Sequence, residues 1–410
     1  ITTTTTISVD STVTDAIEMR VDAGFGWSGW FPYVSQVTTV MPAGDGTKTV
    51  SAQYRDASLN TLDLSDDIVL DTIAPVTSDD APAPWQSSDV TVTLTVVETT
   101  TPPATTYYSL NGGAPALYTL PLGVTAEGTT TIEYWSVDGA GLSETTKTAL
   151  VRIDKTDPVT TDDAPAGAQN ATVTVSLTAT DALSGVATTY YRLNGGAVTT
   201  YTAPLVYSAE GTFTLEYFSV DNAGNVEATK TASTFTIDLT PPVITITYPA
   251  DGGLYNISVL PTWTVSEPST QTSTLNGAPY FPTPGVPISL EGTYVLIAQA
   301  VDAAGNVDTD TVTFVIDKTP PTTTDDAPGT WVTSQPVTVT LTAVETRTPP
   351  PVTYYSVDGG ALTTYTVPLV YTSEGTTTIE YYSVDQANNQ ETTNTALVLI
   401  DTVAPETTIS

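Results

Sequence analysis

At 410 residues the chain is too long for one hydrophobic core, and an even division gives several ordinary domains. Forty-five acids face ten Lys or Arg, a formal net charge of −35 that repels nucleic acid and anionic membrane surfaces and that salt or divalent cations would relieve. With no His and no Cys the usual general base, thiol chemistry, disulfides and the common transition-metal ligands are excluded, and no apolar run approaches the roughly eighteen residues of a membrane span.

Roughly a fifth of the positions are threonine, which is β-branched and favours strands. The chain opens at Ile1 without a charged-then-apolar leader and reads as a processed product or a piece of something longer. Its first segments, MRVDAGFGWSGWFPY (19–33) and GDGTKTVSAQYRDASLN (44–60), are a divergent first copy of a pattern that then recurs. A closing phrase returns as VLDTIAP (69–75), RIDKTDP (152–158), TIDLTPP (236–242), VIDKTPP (315–321) and LIDTVAP (399–405), with its Asp spaced by 83, 84, 79 and 84 residues. Between the closing phrases, VTVTLTVV (90–97), TVTVSLTA (172–179) and VTVTLTA (337–343) alternate with period two, as half-buried strands do.

YYSLNGGAPALYT (107–119), YYRLNGGAVTTYT (190–202) and YYSVDGGALTTYT (354–366) put Asn-Gly or Asp-Gly between two strand-like runs, the signature of tight hairpins, while the fourth interval has only STLNGAPYF (273–281). EGTTTIEYWSVDGAG (127–141), EGTFTLEYFSVDNAGN (210–225), EGTYVLIAQAVDAAGN (291–306) and EGTTTIEYYSVDQANN (374–389) then give a long strand and a last hairpin. In the first of these Ile132, Tyr134 and Ser136 share one face and Glu133, Trp135 and Val137 the other. The paired tyrosines, such as Tyr107 with Tyr108, point to opposite faces, one of each pair toward the core. Proline pairs end each ladder because proline has no N–H to donate.

The expected fold is all-β, a linear array of five Ig-like sandwich modules of about 80 residues each. The boundaries fall at 1–74 for a divergent module without a leading strand, then 75–157, 158–241, 242–320 and 321–405, with 406–410 as the leading strand of a next module or a donor strand. All five modules resemble the tandem Ig-like repeats of large bacterial and archaeal extracellular surface proteins, of adhesin, stalk, filament or S-layer type. The Glu-Gly-Thr-aromatic entry at 210–213 and 291–294 is similar to the turn before the second cysteine strand of antibody domains, with Leu215 and Leu296 where that cysteine would stand. The first module resembles a subtype with a Trp-x-x-Trp hairpin.

A catalytic site would have to be built from carboxylates alone, as in glycosidases. The acids recur in register at turns instead, so the expectation is a non-enzyme with no catalytic residue and no required cofactor. Calcium is the one cofactor the residues suggest, because it binds oxygen ligands. One cluster is the final hairpin, with Asp138, Asp221, Asp302 and Asp385 joined by Asn225, Asn306 and Asn389. The other is the junction, where Asp154 precedes Asp162 and Asp163, and Asp317 precedes Asp325 and Asp326. The competing reading makes the same residues turn formers that cap backbone N–H groups. Asn170 and Asn256 head N-glycosylation sequons.

The first module lacks a leading strand and PETTIS (405–410) resembles one with no module behind it, so the chain is either a slice of a longer array or the subunit of a head-to-tail polymer formed by strand donation. The expected protein is an extracellular or cell-surface filament, stalk or surface-layer component whose partner is a copy of itself. The alternatives are a spacer or carbohydrate-binding region of a secreted polysaccharide-degrading enzyme, whose partner is a polysaccharide, or an adhesin repeat region.

Overall fold

The computed structural model describes residues 1–280 and 286–408; Phe281, which ends the STLNGAPYF phrase, and Ile409 and Ser410 of the final phrase lie outside the described residues. All helix-or-strand structure among the described residues is β-strand, and no helix there is long and apolar enough to cross a membrane. The chain forms two compact units, one of Ile1–Ala164, Val175–Leu205 and Thr214–Ser233, the other of Pro165–Thr174, Val206–Phe213 and Thr234–Ser410. The repeats fold as tandem β-sandwiches, and the strands of the third are shared out between the units.

The second repeat, in the first unit, shows the plan. A four-stranded sheet runs in the order Ala116–Leu117, Thr105–Leu110, Gly128–Val137, Lys147–Ile153. Facing it, Leu122–Val124 pairs with Val90–Val92, and the leading strand Val76–Asp79 pairs with Leu94–Val97. Alternation puts Val90, Val92, Leu94, Leu122 and Val124 from one layer against Ile132, Tyr134, Val151 and Ile153 from the other, all buried in one cluster. At the hairpin tip Asn111 and Gly112 have φ of 51° and 70°, the two positive values that a type I′ turn needs and that Asn-Gly predicts. Tyr108 packs against this core while Tyr107, on the opposite face, stacks on Trp135 with centroids 5.8 Å apart. The same outward stack recurs as Tyr190 on Phe218 and Tyr354 beside Tyr382.

In the first repeat Phe31–Pro32, Glu18–Asp22, Gly46–Arg55 and Thr61–Leu70 form the four-stranded sheet, and Thr6–Asp10 pairs with Gln36–Val40. The Trp-x-x-Trp segment packs Arg20 against Trp27 and Trp30, both at 4.8 Å, and Arg55 against Trp30 at 4.2 Å, a cation–π ladder over the outer face. In the third repeat's part of this unit, Leu215 is fully buried on its strand.

In the second unit, the fourth repeat has a five-stranded sheet, Gly253–Tyr255, Val307–Ile316, Gly292–Val301, Thr270–Leu275, Ala278–Pro279, over a core that includes Leu296 and Phe314. The fifth repeat repeats this order with Trp331–Val332, Asn394–Ile400, Gly375–Val384, Val352–Val357 and Thr363–Thr364. Leu215 and Leu296 have no exposed surface, so apolar packing fills the place that a disulfide holds in antibody domains.

One device ties each closing phrase back to its own repeat. The acid of the Glu-Gly or Asp-Gly turn accepts a backbone N–H just past the closing Asp: Asp45 from Thr72, Glu127 from Lys155, Glu210 from Leu239, Glu291 from Lys318 and Glu374 from Thr402, at 2.6–3.0 Å. Hydrogen bonds from the Thr240 hydroxyl and Leu239 N–H to Glu210, from the Lys318 N–H and Thr319 hydroxyl to Glu291, and from the Thr402 hydroxyl and N–H to Glu374 hold these three carboxyls below the usual Glu range.

Candidate metal centres

The closing Asp is fixed by backbone before its side chain does anything. Its N–H completes a short parallel pairing, as where Asp154 donates to Gln86, Asp238 to Gln169, Asp317 to Tyr255 and Asp401 to Val332. One carboxylate oxygen then caps the N–H two residues on, Ile73 for Asp71, Thr156 for Asp154, Thr240 for Asp238 and Thr319 for Asp317. The other oxygen turns toward the next repeat.

There it meets two more acids. Four groups have carboxylate oxygens within 4.8 Å of one another: Asp71, Glu98 and Asp138; Asp154, Asp181 and Asp221; Asp238, Glu267 and Asp302; Asp317, Glu345 and Asp385. Each takes the closing Asp of one repeat, an acid just after the strand that pairs with the leading strand of the next, and the Asp of that repeat's final hairpin. The hairpin and junction clusters that the sequence shows as separate features therefore meet, through Asp154 with Asp221 and Asp317 with Asp385.

Asp162, Asp163, Asp325 and Asp326 do not join them. Asp162 and Asp325 accept the buried hydroxyls of Tyr217 and Tyr381 at 2.6 Å, which, after burial itself, push both phenols above their ordinary range. Asp163 and Asp326 cap the N–H groups of Ser176 and Thr340 at 2.6 Å. These four hold the leading strand in place.

The asparagines act as donors. Asn225, Asn306 and Asn389 each give an amide N–H to the hairpin Asp (2.7–2.8 Å) and to the backbone carbonyl of the preceding closing Asp (2.7–2.8 Å). Both neighbours only accept, which fixes the amide's orientation. Each Asn thus clasps one repeat to the end of the one before it.

The second repeat has Leu142 at this position. Asp138 Oδ1 still accepts from the N–H groups of Ala140 and Leu142, both at 2.9 Å, but Asp138 Oδ2 is buried with no partner. Asp317 Oδ2, in a residue with no exposed surface, is likewise buried and unpartnered. Its carboxyl lies above the usual range: burial is the main cause, and Glu345, Asp385 and Glu291 add to it against one N–H from Thr319. Asp154 and Asp302 lie below it; burial works against them, but donors from Ser184 and Thr156, and from Asn306 and its turn, prevail.

The donor set fits a hard divalent cation. All ligands are oxygen, and oxygens up to 4.8 Å apart match a shell in which each lies about 2.3–2.6 Å from a calcium ion. Two unit charges at that separation repel by roughly 3 kcal/mol at an effective dielectric of about 20. None of the ion pairs among the described residues includes any of the twelve acids. The first and fourth clusters, each with a buried carboxylate oxygen that nothing satisfies, fit best.

Sequence reasoning missed Asp71, Asp238, Glu98, Asp181, Glu267 and Glu345. The signal for the last four was an acid 27, 27, 29 and 28 residues after each closing Asp. The sequon residues Asn170 and Asn256 are exposed.

No family model matches this chain, and no curated protein does. Among solved structures it is similar to a tetra-tandem repeat in the extending region of a large adhesion protein (18% identity, 77% of this chain and 96% of that one, TM-score 0.31). It is also similar to fibronectin(III)-like modules of Clostridium thermocellum CbhA (15%, 38% and 94%, 0.25) and to a protocadherin γB4 extracellular domain (12%, 96% and 78%, 0.32). The fold assignment rests on the strand order described above.

Proposed function

We propose that this chain is a non-catalytic structural segment of an extracellular or cell-surface array, whose repeats are modules bounded at 74/75, 157/158, 241/242 and 320/321 and clamped at their junctions by calcium. The observation that carries the reading is the unpartnered, buried Asp317 Oδ2 facing Glu345 and Asp385. A cation there would be held by the end of one repeat and two loops of the next, so binding would stiffen the junction. Asp71, Glu98 and Asp138 would do the same at the first boundary, 74/75. The acidic surface suits an exposed, soluble array, and Asn170 and Asn256 are open to glycosylation. The partner is a further copy of the chain, joined in a linear homopolymer by strand donation.

Calcium titration with the apo chain tests this. Binding of up to four ions, with a rise in melting temperature that EGTA reverses, is the expected result; no bound calcium and an unchanged melting temperature overturn the clamp.

A second reading, the spacer or carbohydrate-binding region of a secreted polysaccharide-degrading enzyme, is favoured by the three outward aromatic stacks of Tyr107, Tyr190 and Tyr354. Retardation in affinity gels containing cellulose, xylan or chitin, lost in the Trp135→Ala variant, would select it.

A further inference from the structure

We infer that the four junction clusters are not equal: the first and fourth are the tight cation sites, with Thr101 and Thr348 as further hydroxyl ligands, and the second is a junction that the chain closes with its own N–H groups. The inference rests on the calcium clamp proposed above and states which junctions calcium controls.

The difference begins in the loop that carries the middle acid. In the second and fifth repeats this loop reads Glu98-Thr-Thr-Thr101-Pro-Pro and Glu345-Thr-Arg-Thr348-Pro-Pro, and in the third Asp181-Ala-Leu-Ser184-Gly185. Glu98 Oε1 accepts the N–H groups of Thr100 and Thr101 at 2.6 and 3.1 Å, and Glu345 Oε1 those of Thr346 and Arg347 at 2.5 and 2.9 Å, so these donors do not serve the closing Asp. Asp181, one methylene shorter, takes the N–H groups of Leu183 and Gly185 at 3.2 and 2.7 Å and passes over that of Ser184, which goes to Asp154 Oδ2 at 2.8 Å. Gly185 turns the chain there with a φ of 78°, and the Asn222 amide fastens the loop through the Ser184 and Gly185 carbonyls, both at 2.8 Å.

The outward oxygen of the closing Asp therefore has a different neighbour in each junction. For Asp154 it is a backbone N–H, which the planar peptide fixes in direction. For Asp71 it is the Thr101 hydroxyl, which rotates about one bond and presents oxygen lone pairs once its hydrogen points elsewhere. In the fourth junction the same two atoms, Asp317 Oδ2 and Thr348 Oγ1, are both buried, and neither has a partner among the described residues.

The hairpin acids widen the division. Asp138 Oδ2 is buried without a partner, whereas Asn225 fills Asp221 Oδ2 at 2.7 Å. The second junction thus has both of these oxygens satisfied by N–H donors, while the first and fourth keep buried oxygens that have lost water and gained nothing, the condition a hard cation relieves. In the third, Asp238, Glu267 and Asp302 are all half-buried, so water competes with an ion, and Asn306 fills Asp302 Oδ2 at 2.8 Å. Withdrawing calcium would loosen the first and fourth junctions and leave the second set.

Calcium titration of the full chain, followed by calorimetry and by amide hydrogen exchange, tests the division. Two ions should bind about tenfold or more tighter than any others, and at that stoichiometry protection should rise at the Ile73 and Thr319 amides and stay unchanged at those of Thr156 and Ser184. Thr348→Val, which keeps the shape and loses the hydroxyl, should weaken one tight ion about tenfold, and Thr348→Ser should restore it. Four equal ions, or protection gained at Ser184 together with Thr319, overturn the division and leave the clamp standing. Binding unchanged by Thr348→Val overturns the hydroxyl as a ligand. No bound calcium at all overturns the clamp, and the inference falls with it.

Discussion

The third and fourth repeats hold their leading strands at matching positions by opposite chemistry. In the third, Thr160 donates its N–H to Glu227 at 2.8 Å and its hydroxyl meets Ser219 and Glu227, Lys230 donates to the Thr160 carbonyl and pairs with Glu227 at 2.5 Å, and Ser219 is shared with Thr189. The second repeat copies this lock through Thr77, Ser136, Glu144 and Lys147, and the fifth through Thr323, Ser383 and Glu391, with Asn394 in the place of the lysine. In the fourth, Ile244 and Ile246 pack into the core beside Ala298 and Ala300, and only their N–H groups reach acids, Asp308 and Asp310. Both solutions give backbone N–H groups of the leading strand a carboxylate acceptor. The polar one concentrates its stability in one buried carboxylate, whereas the apolar one spreads it over contact area.

The difference can be broken most severely at that carboxylate. Glu227→Ala leaves the Lys230 ammonium and the Thr160 and Ser219 N–H groups without their acceptor and should cost the third repeat about 3–5 kcal/mol, read as lost hydrogen-exchange protection at the Thr160 and Ser219 amides. Ile246→Ala in the fourth repeat should cost about 2–4 kcal/mol, as for an ordinary core truncation, with protection lost evenly across that core.

Titration sharpens the contrast. Burial raises the Glu144 and Glu227 carboxyls, but the hydrogen bonds from Thr77 and Lys147, and from Lys230 and Thr160, outweigh it and set both below the ordinary value of 4.5. The stability they contribute is present above that ordinary value and is lost as pH falls through the folded value. Asp317 behaves oppositely: without calcium the stability it contributes is present at low pH and is lost as pH rises through its raised folded value, and calcium competes with protons for this carboxylate. Acidification should therefore expel calcium from the Asp317 cluster at a higher pH than from the Asp154 cluster, as calcium titrations of Glu345→Gln and Asp181→Asn chains at stepped pH would show.

The smallest expected effect concerns the clasp. Leu142→Asn should bring an amide to Asp138 Oδ2, as Asn225 does for Asp221, and stabilise the calcium-free chain by about 1 kcal/mol while reducing the gain that calcium brings. A larger calcium-induced shift in this variant would contradict the donor role given to the asparagines.

The repeat, the hairpin tips and the buried leucines were legible because each is local: Asn-Gly specifies its own turn, and alternation specifies its own face. The hairpin Asp residues and two closing ones, Asp154 and Asp317, were legible as candidate ligands, whereas Asp71 and Asp238 were passed over. That they converge was not legible, since Asp154 and Asp221 meet only through sandwich topology. Asp162 and Asp163 misled for the same reason: adjacency to Asp154 in sequence suggested a shared ion, whereas strand alternation sends one to Tyr217 and the other to Ser176. Asn225 was read as an oxygen donor to a cation because sequence gives no orientation to an amide.

The short parallel pairings that seat the closing Asp bear on how a repeat resists pulling. In the second repeat Gln86 exchanges hydrogen bonds at 2.9 Å with Arg152 and Asp154, and in the fourth Gly253–Tyr255 runs parallel to the end of Val307–Ile316. Tension applied between the start and the finish of such a repeat drags two parallel segments past each other. Their bonds are then loaded in shear and must yield together, where an antiparallel terminal pair would unzip one rung at a time. This single strand-direction choice would give each repeat a high rupture force at ordinary thermodynamic stability.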